Sequence, residues 1–170
     1  GSCLGGGAFF GLCQLLTNVR GYKELQALCA RDSGGDMRNV DLTVGDIYGE
    51  SCEALGLPAD IIACSMGKVP NMLQGLSDGA ADGRDLRATF APADVIDSVA
   101  FMLGNNIAQI AVMAGQLHKC APHIVFCGGW VGDNDAVWRH ITFGTKFWGQ
   151  GKVQAYFVAS DRDRYYGALG

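Results

Sequence analysis

The sequence predicts an α/β domain, and three observations carry that prediction. Two short apolar, β-branched runs, "DIIACS" (Asp60 to Ser65) and "HIVFCGGW" (His123 to Trp130), have the length and composition of buried strands. A long apolar stripe at helical spacing runs from Pro92 to Lys119. Helices and strands alternate through the second half of the chain, the order from which α/β layers are built.

Taken in order, the chain opens on a glycine-rich turn, after which Phe9, Leu12, Leu15 and Leu16 recur at helical spacing until Asn18 to Gly21 stop the run. A second helix is expected from Tyr22 to Ala30, with Leu25 and Leu28 inward. "RDSGGDMRN" reads as a loop, and Asn39 or Asp36 then caps a third helix carrying Val40, Val44 and Ile47 and ending near Tyr48 and Gly49. The strand at 60–65 follows. From Lys68 to Ala91 the composition turns to Gly, Asp, Asn and Ser, which predicts a surface insertion over 69–91, with disorder as the alternative. Pro92 suits a first helical turn, and Val95, Val99, Leu103, Asn106, Ile110, Ala114 and Leu117 form the stripe of the longest helix. A strand at 123–130, a helix around Asp135 to Trp148, a strand at Val153 to Val158 and a helix start at "YYGALG" (Tyr165 to Gly170) complete the chain.

At 170 residues the chain is long enough for one domain, spanning 1–170, with a substantial core. A net charge of −4 and a pI near 5.2 argue against a nucleic-acid surface, which needs clustered Lys and Arg. No uninterrupted apolar run approaches the roughly 20 residues of a membrane span, and the first residues lack the pattern of a signal peptide. The expectation is a cytoplasmic protein with no membrane partner. Seven cysteines stand singly at 3, 13, 29, 52, 64, 120 and 127, with no CxxC pair. They read as reduced thiols packed as small hydrophobes, with no metal site.

Two glycine motifs carry the chemistry. In "LGGGAF" (Leu4 to Phe9), Gly5, Gly6 and Gly7 would let backbone N–H groups approach a phosphate at a helix N-terminus. A plain turn is the alternative, since the motif lacks the Lys-Ser/Thr of a P-loop. In "VFCGGW" (Val125 to Trp130), Gly128 and Gly129 end a strand where α/β sheets bind ligands; a base lying on bare backbone and a tight strand-to-helix turn are both open. His118 and His123 are expected to face solvent and His140 lies in a helix, so spacing argues for no catalytic triad. Asp36, Asp41 and Asp46 read as caps and helix surface rather than ligands, and Trp130 and Trp148 as core side chains or pocket walls.

Together these stretches resemble the eukaryotic-type (type II) pantothenate kinases. "GSCLGGGAFFGLCQLLT" is similar to the family's "GTSIGGGTFxGLxxLLT", "GGDMRNVDLTVGDIYG" to "GDSxxxDxLVxDIYGG", and "LGLPADIIACSMGK" to "FGLPxxxVASSFGN". "GNNIAQIA" resembles "TNNIGSIA", "HIVFCGGW" resembles "RVVFVGNF", "FWGQGKVQAYF" resembles "YWSKGQLKALF", and "YYGALG" resembles "YFGAVGA". The matches are collinear over nearly the whole chain except 69–91.

The resemblance implies a sugar kinase/Hsp70/actin-like (ribonuclease H-like) subdomain, a mixed sheet with helices on both faces. It implies transfer of the γ-phosphate of ATP, with Mg²⁺, to pantothenate, opening coenzyme A synthesis in a homodimer inhibited by acetyl-CoA and CoA. Gly5, Gly6 and Gly7 match the glycine loop near the ATP phosphates, and Gly128 and Gly129 the adenosine-side turn. Ile62 and Ala63 match a Val-Ala pair of the pantothenate and acyl-CoA pocket, and Trp148 a tryptophan lining it across the dimer. The helix at about 92–119, through Asn105 and Asn106, matches the dimer interface. Gly129 and Gly132 replace an Asn and an Arg of the family, and Arg164 replaces a glycine. The resemblance covers the carboxyl-terminal half of the catalytic core, so the general base is expected upstream of residue 1 and the isolated chain to be inactive. The alternatives are a catalytically dead acyl-CoA-sensing or scaffold module, and an activator of CoA-ester dehydratases in which Cys127 ligates an iron–sulfur cluster.

Overall fold

The computed structural model describes residues 2–70, 88–120, 122–132 and 134–158. Most of the expected insertion at 69–91, Arg164 and the helix start at 165–170 lie outside the described residues.

Helix α1 (Gly6–Leu16) buries Phe9 and Cys13, one turn apart on one face. Leu15, expected inward, falls on the far side and is 74% exposed, while Leu12 and Leu16 flank the core partly buried. Thr17 ends the helix by donating its hydroxyl to the Cys13 carbonyl at 2.6 Å. Helix α2 (Tyr22–Cys29) buries Leu25 and Cys29. The third helix is shorter than expected. Asp36 caps only a 3₁₀ turn, Met37–Asn39, and the chain then extends into strand β1 (Leu42–Thr43). Helix α3 (Val44–Tyr48) starts there because Thr43 and Asp46 form a capping box, and Gly49 closes it in the left-handed region at φ 79°.

Strand β2 (Ile62–Cys64) pairs antiparallel with β1, Leu42 opposite Cys64. The expected burial of this strand is corrected: Ala63 and Cys64 are exposed and Ile62 half-buried, because β2 walls an open cleft.

Helix α4 (Pro92–Leu117) is the spine, contacting α1, α2 and above all the later helix over Asp135–Trp148. The expected stripe holds only at its start. Val99 and Leu103 are buried, but Asn106 is exposed, Ile110 is 46% exposed and Leu117 78%. The buried face turns instead through Ile96, Ala100, Gly104, Ala108 and Val112. Small residues cause that rotation: a Cβ on Gly104 would stand 3.2 Å from the His140 Cβ, so the two backbones approach closely there. By length and composition α4 could cross a membrane, yet more than half of its most apolar stretch is buried within the fold.

Strand β3 (His123–Phe126) runs into the short helix α5 (Gly129–Gly132), then α6 (Asp135–Trp148), then strand β4 (Gln154–Phe157). Asn134 caps α6 by accepting from the Val137 N–H at 3.2 Å. β4 lies parallel to β3, His123 opposite Gln154 and Phe126 opposite Phe157, so this part is a βαβ unit. The α/β class therefore holds. Among the described residues, though, the strands form two separate two-stranded ladders rather than one mixed sheet covered on both faces.

Candidate functional site

The glycine loop and the double-glycine turn meet. Gly6 packs against Trp130 so closely that a Cβ would lie 2.7 Å from the Trp130 Cβ. Phe9 supports the indole from the core side, ring centroids 5.3 Å apart. Gly5, Gly128, Cys127 and Trp130 line one cavity of about 370 Å³, closed on the other side by Ile107 and Ile110 of α4. A Cβ on Gly5, Gly7, Gly128 or Gly129 would meet nothing within 4 Å, which leaves bare backbone beside open space. Gly128 sits at φ 124°, a conformation side chains rarely adopt. The N-terminus of α1, eleven residues long, follows Gly5 at once, so its free N–H groups and partial positive charge lie beside this cavity. These features fit a nucleotide phosphate.

Ile62, Ala63 and Trp148 also converge. They line a second cavity of about 460 Å³ with Ile47, Tyr48, Leu55 and Phe147. The walls are apolar, and several are exposed to solvent: Tyr48 57%, Leu55 65%, Phe147 39% and Trp148 37%. The Trp148 indole N–H donates to Asn105 Oδ1 at 3.1 Å, which ties the end of α6 to the middle of α4.

A third cavity, of about 560 Å³, lies between residues 34–38, the start of β2, α4 and α6, and nothing in the sequence reading pointed to it. Asp97 is its organising group. Its carboxylate accepts from the Met37 backbone N–H (3.2 Å) and Arg139 Nη2 (3.2 Å), and lies 2.8 Å from His140 Nε2. Asp94, one turn earlier, accepts from the Asp36 N–H (2.8 Å) and Asn39 Nδ2 (2.9 Å). Asp36 holds Arg38 in a bidentate pair, which keeps the Asp36 carboxyl below its ordinary value. The only signal available was a pair of acids three apart on the first turns of an otherwise apolar helix.

Other expectations resolve as follows. Asp46 is the cap it was expected to be; the Thr43 backbone N–H and Lys68 beside it hold its carboxyl down at about 2. Asp41 is not helix surface. It is fully buried, accepts from the Met66 N–H at 2.7 Å and from the Ser98 hydroxyl, and burial pushes its carboxyl up. His118 and His123 are exposed, whereas His140 is buried. Among the described residues no three His, Cys, Asp or Glu side chains are grouped to hold a metal ion.

A profile of the family described as Fumble matches residues 1–170. This chain belongs to the Fumble family. Curated relatives cover all of it: the pantothenate kinase of Schizosaccharomyces pombe is 34% identical over 172 residues. The 4'-phosphopantetheine phosphatase of Mus musculus is 35% identical over 170 residues. Pantothenate kinase 1 of Oryza sativa subsp. japonica is 33% identical over 172 residues. The Fumble chain spans only 38%, 18% and 23% of the lengths of these relatives, respectively.

Proposed function

We propose that this Fumble chain is the carboxyl-terminal half of a pantothenate kinase catalytic core, working in coenzyme A synthesis by phosphorylating pantothenate to 4'-phosphopantothenate with ATP. The observation that carries this reading is the convergence of Gly5 and Gly128 on one cavity beside the N-terminus of α1. Kinship with two proteins named pantothenate kinases supports it.

In this reading the Gly5–Gly7 backbone and the α1 N-terminus face the ATP phosphates, and Gly128 and Gly129 lie under the adenosine. Bound Mg²⁺ would neutralise phosphate charge during transfer; its ligands and the general base come from residues outside this chain. The apolar cleft of Ile62, Ala63 and Trp148 takes pantothenate and the acyl-CoA inhibitor. A second copy covers the exposed side of α4, where Asn106, Ile110 and Met113 stand in solvent. The fold is one subdomain of the ribonuclease H-like kind. The unpaired cysteines fit a reducing cytoplasm.

The test is direct. A longer protein carrying this chain, given pantothenate, ATP and Mg²⁺, is expected to yield 4'-phosphopantothenate by mass spectrometry. The 170 residues alone are expected to yield none. No product from the longer protein under any condition overturns the reading.

One observation favours a second reading. The mouse relative is named for a phosphatase and yet contains a region 35% identical to this chain, so the domain also occurs in a protein named for a different activity. A non-catalytic acyl-CoA-sensing or scaffold module would bind acetyl-CoA without phosphorylating pantothenate, and a binding measurement beside the kinase assay separates the two.

A further inference from the structure

We propose that the cavity between residues 34–38 and α6 is an anion-binding site opening off the apolar cleft, and that it takes a ligand bearing a single carboxylate or phosphate group, gripped by Arg38 and Arg139. It shares Ile61, Ile62, Phe101 and Phe143 with that cleft, but its charged groups do not line the cleft, and the anion grip does not rest on the kinase reading.

At about 560 Å³ the cavity falls in the range of small-molecule sites. Its build is the usual one for such sites: apolar walls (Ile61, Ile62, Phe101, Phe143) with a few convergent polar groups. Both guanidinium groups are fixed but incompletely used. Arg38 gives Nε and Nη2 to Asp36, and Arg139 gives Nη2 to Asp97. Arg38 Nη1 and Arg139 Nε and Nη1 make no hydrogen bond to the described residues. Both side chains remain open to solvent, Arg38 58% and Arg139 47%. An anion entering the cavity therefore meets donors already oriented, which lowers the entropy lost on binding.

The acids decide how much negative charge fits. Asp97 is engaged by three donors and Asp36 by Arg38, so neither carboxylate is bare. Asp60, also on the wall, makes no hydrogen bond to the described residues. It repels a densely charged anion and accepts from a hydroxyl or amide instead. A group of one or two charges fits this balance and a polyphosphate does not. That distinguishes the cavity from the glycine-lined one, where Gly5, Gly128 and a helix N-terminus carry no acid.

Isothermal titration of the 170-residue chain tests this with lactate, inorganic phosphate and tripolyphosphate. Lactate, phosphate or both are expected to bind saturably below about 10 mM, the arm that binds identifying the ligand's group. Arg38→Gln and Arg139→Gln should each weaken that binding about tenfold or more, while Lys23→Gln, the loss of an exposed cation on α2 away from the cavity, leaves it unchanged. A second readout needs no variant: the binding anion should protect Arg38 and Arg139 of the parent chain from phenylglyoxal, located by peptide mass spectrometry. Absence of saturable binding by both lactate and inorganic phosphate overturns the proposal. So does binding that survives both arginine substitutions, or a preference for tripolyphosphate that Arg139→Gln abolishes.

Discussion

Gly6 and Trp130 are in direct contact: the space where a Gly6 side chain would begin is filled by the Trp130 Cβ, 2.7 Å away. A Trp Cβ cannot swing aside as the end of a flexible chain can, so the glycine is what lets α1 reach α5. Gly6→Ala should push the two glycine segments apart, lowering stability by about 1–3 kcal/mol and weakening nucleotide binding by the intact protein. Thermal denaturation and titration with an ATP analogue check it. Gly7→Ala, where the Cβ meets open space, is the control expected to be milder in stability.

A similar contact joins α4 to α6. A Cβ on Gly144 would lie 2.8 Å from the Ala108 Cβ, 2.9 Å from Asn105 Oδ1 and 3.2 Å from the Asn105 Cα. Gly144→Ala must therefore separate the two helices and disturb the Asn105–Trp148 hydrogen bond. We expect a loss of about 1–3 kcal/mol despite the better helix propensity of alanine. Urea unfolding followed by tryptophan fluorescence measures both effects.

Two aspartates, Asp41 buried and Asp46 exposed, should titrate in opposite senses. Asp41 has its carboxyl raised above 3.8 by burial. As pH rises past 3.8 the unfolded chain releases this proton before the folded one does, so Asp41 lowers stability with rising pH. Asp41→Asn cannot ionise, and its cost relative to the parent should shrink as pH rises above 3.8. Asp46, held at about 2, does the reverse: its contribution is present above 3.8 and is lost as pH falls from 3.8 toward 2. Asp46→Asn should flatten that acid limb alone. Denaturation midpoints across the two ranges separate the substitutions, and a cost of Asp41→Asn that grows with pH would refute the first.

Thiol reactivity should divide the cysteines by burial. Burial pushes the Cys13 thiol up to about 12, aided by the charge of Cys29, and the Cys29 thiol up to about 11. Cys3, Cys64, Cys120 and Cys127 are exposed. Iodoacetamide at about pH 8 should alkylate those four in the native chain and reach Cys13 and Cys29 only after denaturation. Peptide mass spectrometry reads the order directly. Labelling of Cys13 at native rates would show that α1 and α2 do not pack as described.

How much was legible depends on what kind of signal each feature leaves. Helix α6 was readable to its ends and α4 to within two residues, because long amphipathic periods and Pro92 mark them locally. β1 was missed because two residues, Leu42 and Thr43, cannot display an alternation. The face of α4 was misread from its middle onward, since small residues rather than large ones set its approach to α6. Asp41 looked like surface by spacing, and only the tertiary contacts with Met66 and Ser98 bury it. Convergence of the two glycine motifs was implied by resemblance and not by composition. Asp97 and His140 are 43 positions apart on separate helices, and nothing local couples them.

The parallel pairing of β3 with β4 has a consequence for how the chain reaches its native state. The elements of that unit and the α4 spine beneath it all lie within residues 92–157, so the contacts among them close over modest separations. Asp36, Met37 and Asn39 must instead find Asp94 and Asp97 across more than fifty intervening positions. Closing the longer loop costs more chain entropy before any contact rewards it. The βαβ portion is therefore the natural nucleus, with α1, α2 and the 34–46 segment docking on it afterwards. All three cavities are completed only at that later stage: the glycine-lined one when α1 docks, the arginine-lined one when residues 34–38 settle onto α4, and the apolar one when Ile47, Tyr48, Ile62 and Ala63 come to face Trp148.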